Sequence, residues 1–150
     1  MTIDKKEALK QLEKLKNDVK ELEKVINTPE KDWRNVKSFK DACEFLGELP
    51  PNHLISQWKT AYLTDSQIAG LKLEYCIKAV NEGWKPNWKD SDQYKWYNWF
   101  EYKNGGWVLG WDVCDAFVHA RFGLGFFYES KEKAEFGAKY FKNYYDIWLG

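Results

Sequence analysis

The feature that most constrains the fold is a tryptophan-rich stretch, residues 81–111. It holds six of the nine tryptophans of this 150-residue chain. A tryptophan side chain buries roughly 150–250 Å² when it is covered, so several of these rings must belong to a core. Residues 95–102 carry aromatic side chains at both odd and even positions, as a strand with aromatic residues on both faces would. The turn sequence Lys103-Asn104-Gly105-Gly106 follows, and residues 107–112 form the candidate partner strand. This pattern predicts an antiparallel β-hairpin with a tight Asn-Gly turn.

Helices are predicted on both sides of the hairpin. Ser38 and Gly47 delimit a short helix, and apolar spacing predicts two more, over residues 52–63 and from Thr64 to about residue 82. A third strand is predicted over residues 124–128, and Ser130 caps one long helix that runs to Leu149. We therefore expect an α+β fold with a helical N-terminal half, a hairpin or three-stranded antiparallel sheet, and a long C-terminal helix.

The N-terminal segment has a different character. Its apolar residues are spaced by three and four positions between lysines and glutamates, which is the pattern of a heptad seam. About two and a half heptads are marginal for an independent coiled coil, so the stripe has two candidate partners, a matching helix or the chain's own domain. We predict a helix over residues 1–27 that forms a homo-oligomer, and one globular domain over residues 28–150. The predicted oligomerisation residues are Leu12, Leu15, Val19, Leu22 and Ile26.

Composition narrows the classes of partner. Lys+Arg and Asp+Glu are 23 each, so there is no net charge to attract nucleic acid or an anionic membrane. No apolar run approaches the roughly 20 residues that span a bilayer, and the first ten residues lack a signal-peptide core. Three widely spaced cysteines indicate neither a disulfide framework nor a zinc site. We expect a soluble protein without a membrane contact or a cofactor.

Two further segments carry a resemblance. The run LKLEYCIKAVNEGWKPNW and the ending ARFGLGFFYESKEKAEFGAKYFKNYYDIWL, with the hairpin between them, resemble an uncharacterised family of bacteriophages and prophages of gut Bacteroidetes. Asn87 stands where that family has Asp, and the segment 121–130 is longer here. The resemblance implies a phage origin, in the cytoplasm of a bacterial host or on the virion, and no particular chemistry. Its matching positions are Arg121, Phe127, Ser130, Ala134, Phe136, Gly137, Phe141 and Tyr144.

A catalytic interpretation has little support. Cys114 and His119, with Asp112 and Asp115, are the only compact set of nucleophile, base and acid types. Catalytic Cys and His are usually far apart in a chain, so a buried thiol and a surface imidazole are the favoured interpretation, and a small Cys/His hydrolase is a lesser alternative. A metal site from the two aspartates and His119 is weaker still. We expect neither metal nor catalytic residues.

The aromatic region is the better candidate for function. A strand with aromatic residues on both faces either lies between two packed layers or exposes one face as a binding surface. Lysines lie among these rings, but nearby acids offset their charge, so nucleic acid is not favoured over a protein or a small molecule. We predict a non-enzymatic binding or assembly protein, with a protein that sequesters a small nucleotide-like molecule as the alternative. The predicted contact residues are Lys95, Trp96, Trp99, Trp107, Trp111 and Arg121.

Overall fold

The computed structural model of this protein describes residues 4–28, 30–116 and 126–150. Backbone contacts divide the chain into two compact units, of which the first ends at Lys31 and the second begins at Asp32. Among the described helices, none combines the length and the apolar composition needed to cross a membrane.

The first unit is a single helix, α1 (Lys5–Asn27), as the heptad spacing predicts. Asp4 begins it by accepting a hydrogen bond from the backbone N–H of Lys6. At the other end the Thr28 hydroxyl donates to the carbonyl of Lys24. None of the 23 residues of α1 is buried, so its stability as an isolated helix comes from local interactions alone.

The second unit is an α+β fold, as predicted. A short 3-10 helix (Trp33–Asn35) precedes α2 (Phe39–Leu46), α3 (Pro51–Thr60) and α4 (Asp65–Val80). The hairpin of β1 (Lys95–Lys103) and β2 (Gly106–Ala116) follows, and α5 (Lys131–Tyr140) and α6 (Lys142–Leu149) end the chain. The predicted caps are present, since Ser38 and Ser130 each accept a hydrogen bond from the backbone N–H three residues later, and Gly47 ends α2 at φ +69°.

The hairpin has the predicted turn. Asn104 and Gly105 both have positive φ, +51° and +83°, as a two-residue turn of this kind requires. β1 pairs antiparallel with β2 from Lys95 opposite Ala116 to Lys103 opposite Gly106, with one irregularity between Asn98 and Phe100.

The predicted third strand is wrong for the part of it that the structure describes. Tyr128 alone pairs with Trp96, through backbone N–H···O distances of 3.1 and 2.7 Å. Its neighbours bond a side chain instead: the amide of Asn81 donates to the Phe127 carbonyl at 2.8 Å and accepts from the Glu129 N–H at 3.0 Å. These bonds satisfy the backbone groups that a further strand would need, and α5 begins only two residues later.

The C-terminal segment is helical as predicted, but it is two helices rather than one. Phe141 lies between α5 and α6 with φ −106° and ψ 11°, which are not α-helical values. Its ring is fully buried in the core. No proline or glycine stands at this position, so the sequence pattern gives no indication of the interruption.

The core lies on both sides of β1. The main cluster joins residues of α2, α4, α5 and α6, among them Leu73, Ile77 and Phe141, and it includes Tyr128. A smaller cluster lies against Tyr97 and Phe127, with three partly buried tryptophans, Trp84, Trp88 and Trp99. β1 is therefore packed between two apolar layers.

Tyr128 fits into this core only because α5 has a glycine beside it. A Cβ atom built on Gly137 would lie 2.0 Å from the Tyr128 hydroxyl oxygen and 2.4 Å from its Cζ. Tyr128 is fully buried and its hydroxyl also lies 3.1 Å from that of Tyr145. The ring has no room to move away, so Gly137 sets the distance between α5 and Tyr128.

We expect Gly137→Ala to destabilise the fold by about 1–3 kcal/mol, because the added methyl group overpacks the core at Tyr128. Alanine normally stabilises a helix relative to glycine by about 1 kcal/mol, so the expected sign is the opposite of the usual one. Urea unfolding followed by circular dichroism measures the difference. Gly106→Ala is the matched control, since a Cβ there meets nothing within 4 Å. A more stable Gly137→Ala protein would contradict the close approach.

Candidate functional site

The predicted contact tryptophans of β1 belong to the packed layers. Trp96 packs against the main cluster together with Phe100, whose ring centroid is 4.8 Å from that of Tyr145. Trp99 packs against the smaller cluster, on the other face. Both tryptophans are only partly buried, yet neither face of β1 is open as a whole. Of the two arrangements that the sequence allowed, the strand between two layers is the one observed.

Trp99 is also fixed by β2. A Cβ built on Gly110 would lie 2.6 Å from Cδ1 of Trp99, so the glycine leaves the space that this indole occupies. Hydrogen bonds from Lys103 and from Trp99 hold the pKa of the Glu101 carboxyl below its usual range, and Lys103 has the larger effect. Trp99 is therefore held within the hairpin by Gly110 and by its hydrogen bond to Glu101.

Lys95 lies inside the fold rather than on a contact surface. Its side chain is fully buried, and Nζ donates to the carbonyl oxygens of Asp90 at 3.0 Å and Gln93 at 2.8 Å. The ammonium group also lies 5.4 Å from the ring centroid of Trp88. These contacts hold the loop before β1, and they leave Lys95 unavailable to a partner.

Among the described side chains of the hairpin, an exposed apolar group lies at its end, which we call the hairpin tip: Tyr102, Trp107, Val108 and Leu109. Tyr102, Val108 and Leu109 are 61%, 39% and 36% exposed. Tyr102 and Trp107 face each other across the strands with ring centroids 5.3 Å apart, and the Trp107 indole N–H donates to the Gly150 carbonyl at 3.1 Å. Of the predicted contact residues, Trp107 is the one that belongs to this surface.

Several predicted residues lie outside what the structure describes. Arg121 and His119 fall between residues 116 and 126, and only the backbone of residues 111–116 is described, which includes Trp111, Asp112, Cys114 and Asp115. Within the described residues, no three His, Cys, Asp or Glu side chains are grouped as metal ligands are. His53 is exposed, and its Nε2 lies 3.3 Å from the amide nitrogen of Gln57.

The buried thiols and the buried tyrosine hydroxyls keep their protons at neutral pH. Burial raises the pKa of the thiols of Cys43 and Cys76, which is the opposite of the shift that activates a cysteine nucleophile. Burial likewise raises the pKa of Tyr145 to about 12 and that of Tyr128 well above its ordinary value. Asn98 completes this group by donating to the Tyr145 hydroxyl at 3.3 Å, and its own carbonyl oxygen has no hydrogen-bond partner among the described residues. The group is a structural network.

An uncovered apolar surface runs along α1. All five predicted oligomerisation residues are exposed, from 50% for Leu12 to 78% for Ile26. Leu9 and Val25 are exposed too and widen the stripe at its two ends. They lie beside the a and d positions, which is why a strict heptad pattern overlooks them.

Several surface clefts among the described residues, of about 370–470 Å³, have the volume of a small-molecule site. One, of about 450 Å³, lies where residues 81–86 meet α4, and its lining includes Ile77, Trp84 and Phe127. Another, of about 470 Å³, lies between the 3-10 helix and α5 and is lined by Trp33, Phe136 and Tyr140 among others. The sequence pattern does not indicate the cleft at Trp33, because this tryptophan is an isolated aromatic residue before the first predicted helix of the domain.

Comparison of the chain with protein-family models, with curated proteins and with solved structures finds no match.

We expect Lys95→Met to destabilise the fold by about 1–3 kcal/mol, because methionine keeps the volume but leaves two carbonyl groups without their donor. Lys103→Met is the control: that lysine is exposed and paired with Glu101, and such pairs contribute about 0–1 kcal/mol. The urea unfolding midpoints of the two variants are compared with that of the wild type. Unchanged stability of Lys95→Met would contradict a structural role for the hydrogen bonds of Lys95.

The tyrosine pair predicts a loss of stability at alkaline pH. Between pH 10 and about 12 an unfolded tyrosine ionises while Tyr145 in the fold keeps its proton, so the free energy of unfolding falls as pH rises. The fall for this group is about 1.4 kcal/mol per pH unit. Tyr145→Phe removes it, and we expect a shallower decline from urea unfolding at pH 8 to 11.5. Tyr102→Phe is the control for the loss of one phenol. Equal declines in wild type and Tyr145→Phe would contradict the shift.

Proposed function

We propose that this protein is a phage-encoded, non-enzymatic binding and assembly protein that self-associates through α1. One observation carries the proposal: a helix of 23 residues buries none of them and exposes a continuous apolar stripe along its length. An isolated helix gains nothing from such a stripe, whereas a second copy covers both stripes at once. The phage origin rests on the resemblance of residues 71–149.

The arrangement of side chains on α1 fits a helix of the same sequence as the partner. Leu12, Val19 and Ile26 take the a positions of a heptad, and Leu15 and Leu22 take the d positions, so two copies can interlock along one seam. Covering each such side chain contributes about 1.5–3 kcal/mol. Lysines and glutamates occupy the outer positions and keep that face hydrated.

The second unit supplies the contact with a partner of another kind, and the hairpin tip is the surface that we assign to it. Aromatic and branched apolar side chains without cover are enriched where proteins meet. A self-associated protein presents this surface more than once, so even a weak contact gains in avidity. The buried thiols with raised pKa favour this function over cysteine chemistry at the described sites.

We expect the intact protein to sediment as an oligomer and Leu15→Glu to weaken its association by at least about 100-fold, because two copies lose a leucine contact each and gain a charge in the seam. Sedimentation equilibrium over a concentration series measures this. Asn17→Glu is the matched control, since it adds the same charge on the outer face of α1 and glutamate is a good helix former.

Two results would overturn the self-association. One is a wild-type protein that stays monomeric at about 100 µM, where a micromolar association is nearly complete. The other is an equal effect of Leu15→Glu and Asn17→Glu, which would place the contact outside the seam.

A further inference from the structure

The cleft between the 3-10 helix and α5 combines rings and charges in an order that points to a ligand. We call it the aromatic groove. Its volume of about 470 Å³ lies within the usual range for small-molecule sites, and all of its lining belongs to the second unit. Its lining residues are Trp33, Arg34, Lys37, Glu132, Glu135, Phe136, Lys139 and Tyr140.

The rings of the groove form a connected row. Phe136 contacts Trp33 edge to face with ring centroids 5.1 Å apart, and it contacts Tyr140 at 4.5 Å. Trp33 is buried, whereas Phe136 and Tyr140 are partly exposed. The two partly exposed rings give the groove an apolar floor of aromatic carbon, against which a flat ring can pack, and Trp33 supports them from below.

One end of the row is positive. The Nζ atoms of Lys37 and Lys139 lie 5.3 and 5.1 Å from the ring centroid of Tyr140, so two ammonium groups share one ring. Neither lysine forms an ion pair with a carboxylate in the part of the chain that the structure describes. Two positive charges near one ring attract an anion to this end of the groove.

The other end offers acceptors. The Arg34 guanidinium lies 4.6 Å from the ring centroid of Trp33 and is already paired with Asp32 at 3.4 Å and Glu132 at 3.3 Å. Its charge is therefore balanced locally. The carboxylate of Glu132 lines the groove there, and its remaining acceptor positions can take hydrogen bonds from ring or amino N–H groups. Glu135 also lines the groove and is paired with Lys131 at 3.8 Å.

We propose that the aromatic groove binds a nucleotide, with its phosphate at Lys37 and Lys139 and its base against the partly exposed ring of Phe136. A nucleotide carries an anion at one end and a flat ring with N–H donors at the other, which is the order of chemistry along the groove. Contact between a base and aromatic side chains contributes about 1–3 kcal/mol. The same chemistry is found in a free nucleotide and in one residue of a single strand. The proposal does not depend on self-association through α1.

Isothermal titration of the intact protein with AMP tests the proposal. We expect a dissociation constant below about 1 mM, and at least about 10-fold weaker binding by the double variant Lys37→Ala/Lys139→Ala, a loss of about 1.4 kcal/mol. The matched control is Lys40→Ala/Lys78→Ala, which removes the same charge from α2 and α4 at exposed lysines outside the groove. The control should bind AMP as the wild type does.

Adenosine and phosphate test the two ends of the groove separately, and an oligonucleotide tests whether the ligand is a free nucleotide or part of a single strand. Adenosine and inorganic phosphate should each bind more weakly than AMP, because each reaches only one end of the groove. An adenine decanucleotide that binds at least about 10-fold more tightly than AMP would assign the groove to a single strand. A smaller gain over AMP, or weaker binding, would assign it to a free nucleotide.

Absence of AMP binding, or equal weakening in the two double variants, would overturn the proposal. Phosphate that binds as tightly as AMP would also overturn it, since the groove would then be an anion site without a role for its rings. All four lysines are exposed, so we expect both double variants to unfold at the same urea midpoint as the wild type. This measurement checks that each variant is folded.

Discussion

The amide of Asn81 is the contact on which the rest of the second unit depends. It lies at the C-terminal end of α4, is almost fully buried, and bonds the backbone on both sides of Tyr128. Those bonds hold Tyr128 where it pairs with Trp96 of β1 and where its hydroxyl reaches Gly137 of α5. A single side chain thus joins the helical half, the hairpin and the C-terminal helices. An apolar residue of the same size would leave a buried N–H and a buried carbonyl unpaired.

Local rules explain which parts of the fold were predictable. The caps at Ser38 and Ser130, the end of α2 at Gly47 and the turn at Asn104-Gly105 follow from contacts within four residues. The absent third strand and the interruption at Phe141 do not. Both depend on contacts between distant residues, as when Asn81 bonds Phe127, 46 positions away, and propensity carries no information about such partners.

The candidate functional residues also include some that the sequence predicts and some that it does not. The α1 stripe is visible in the sequence because its spacing is local, and the structure leaves it uncovered. Lys95 was predicted on the surface because lysine is almost never fully buried unless it is paired, and its partners here are backbone carbonyls that no sequence pattern displays. The aromatic groove needs Trp33 beside Phe136, about a hundred residues apart, so neither residue suggests the site alone.

The tryptophan-rich stretch therefore has a different role from the one its composition suggests. Many of its described rings pack against β1 on its two faces, whereas Tyr94 and the hairpin tip are exposed. Surfaces available for recognition arise where the fold leaves rings or apolar side chains without a second layer, on α1, at the tip and in the aromatic groove. The α1 stripe and the groove belong to different units, so the substitutions that test the proposed self-association and those that test the proposed ligand binding change different parts of the chain.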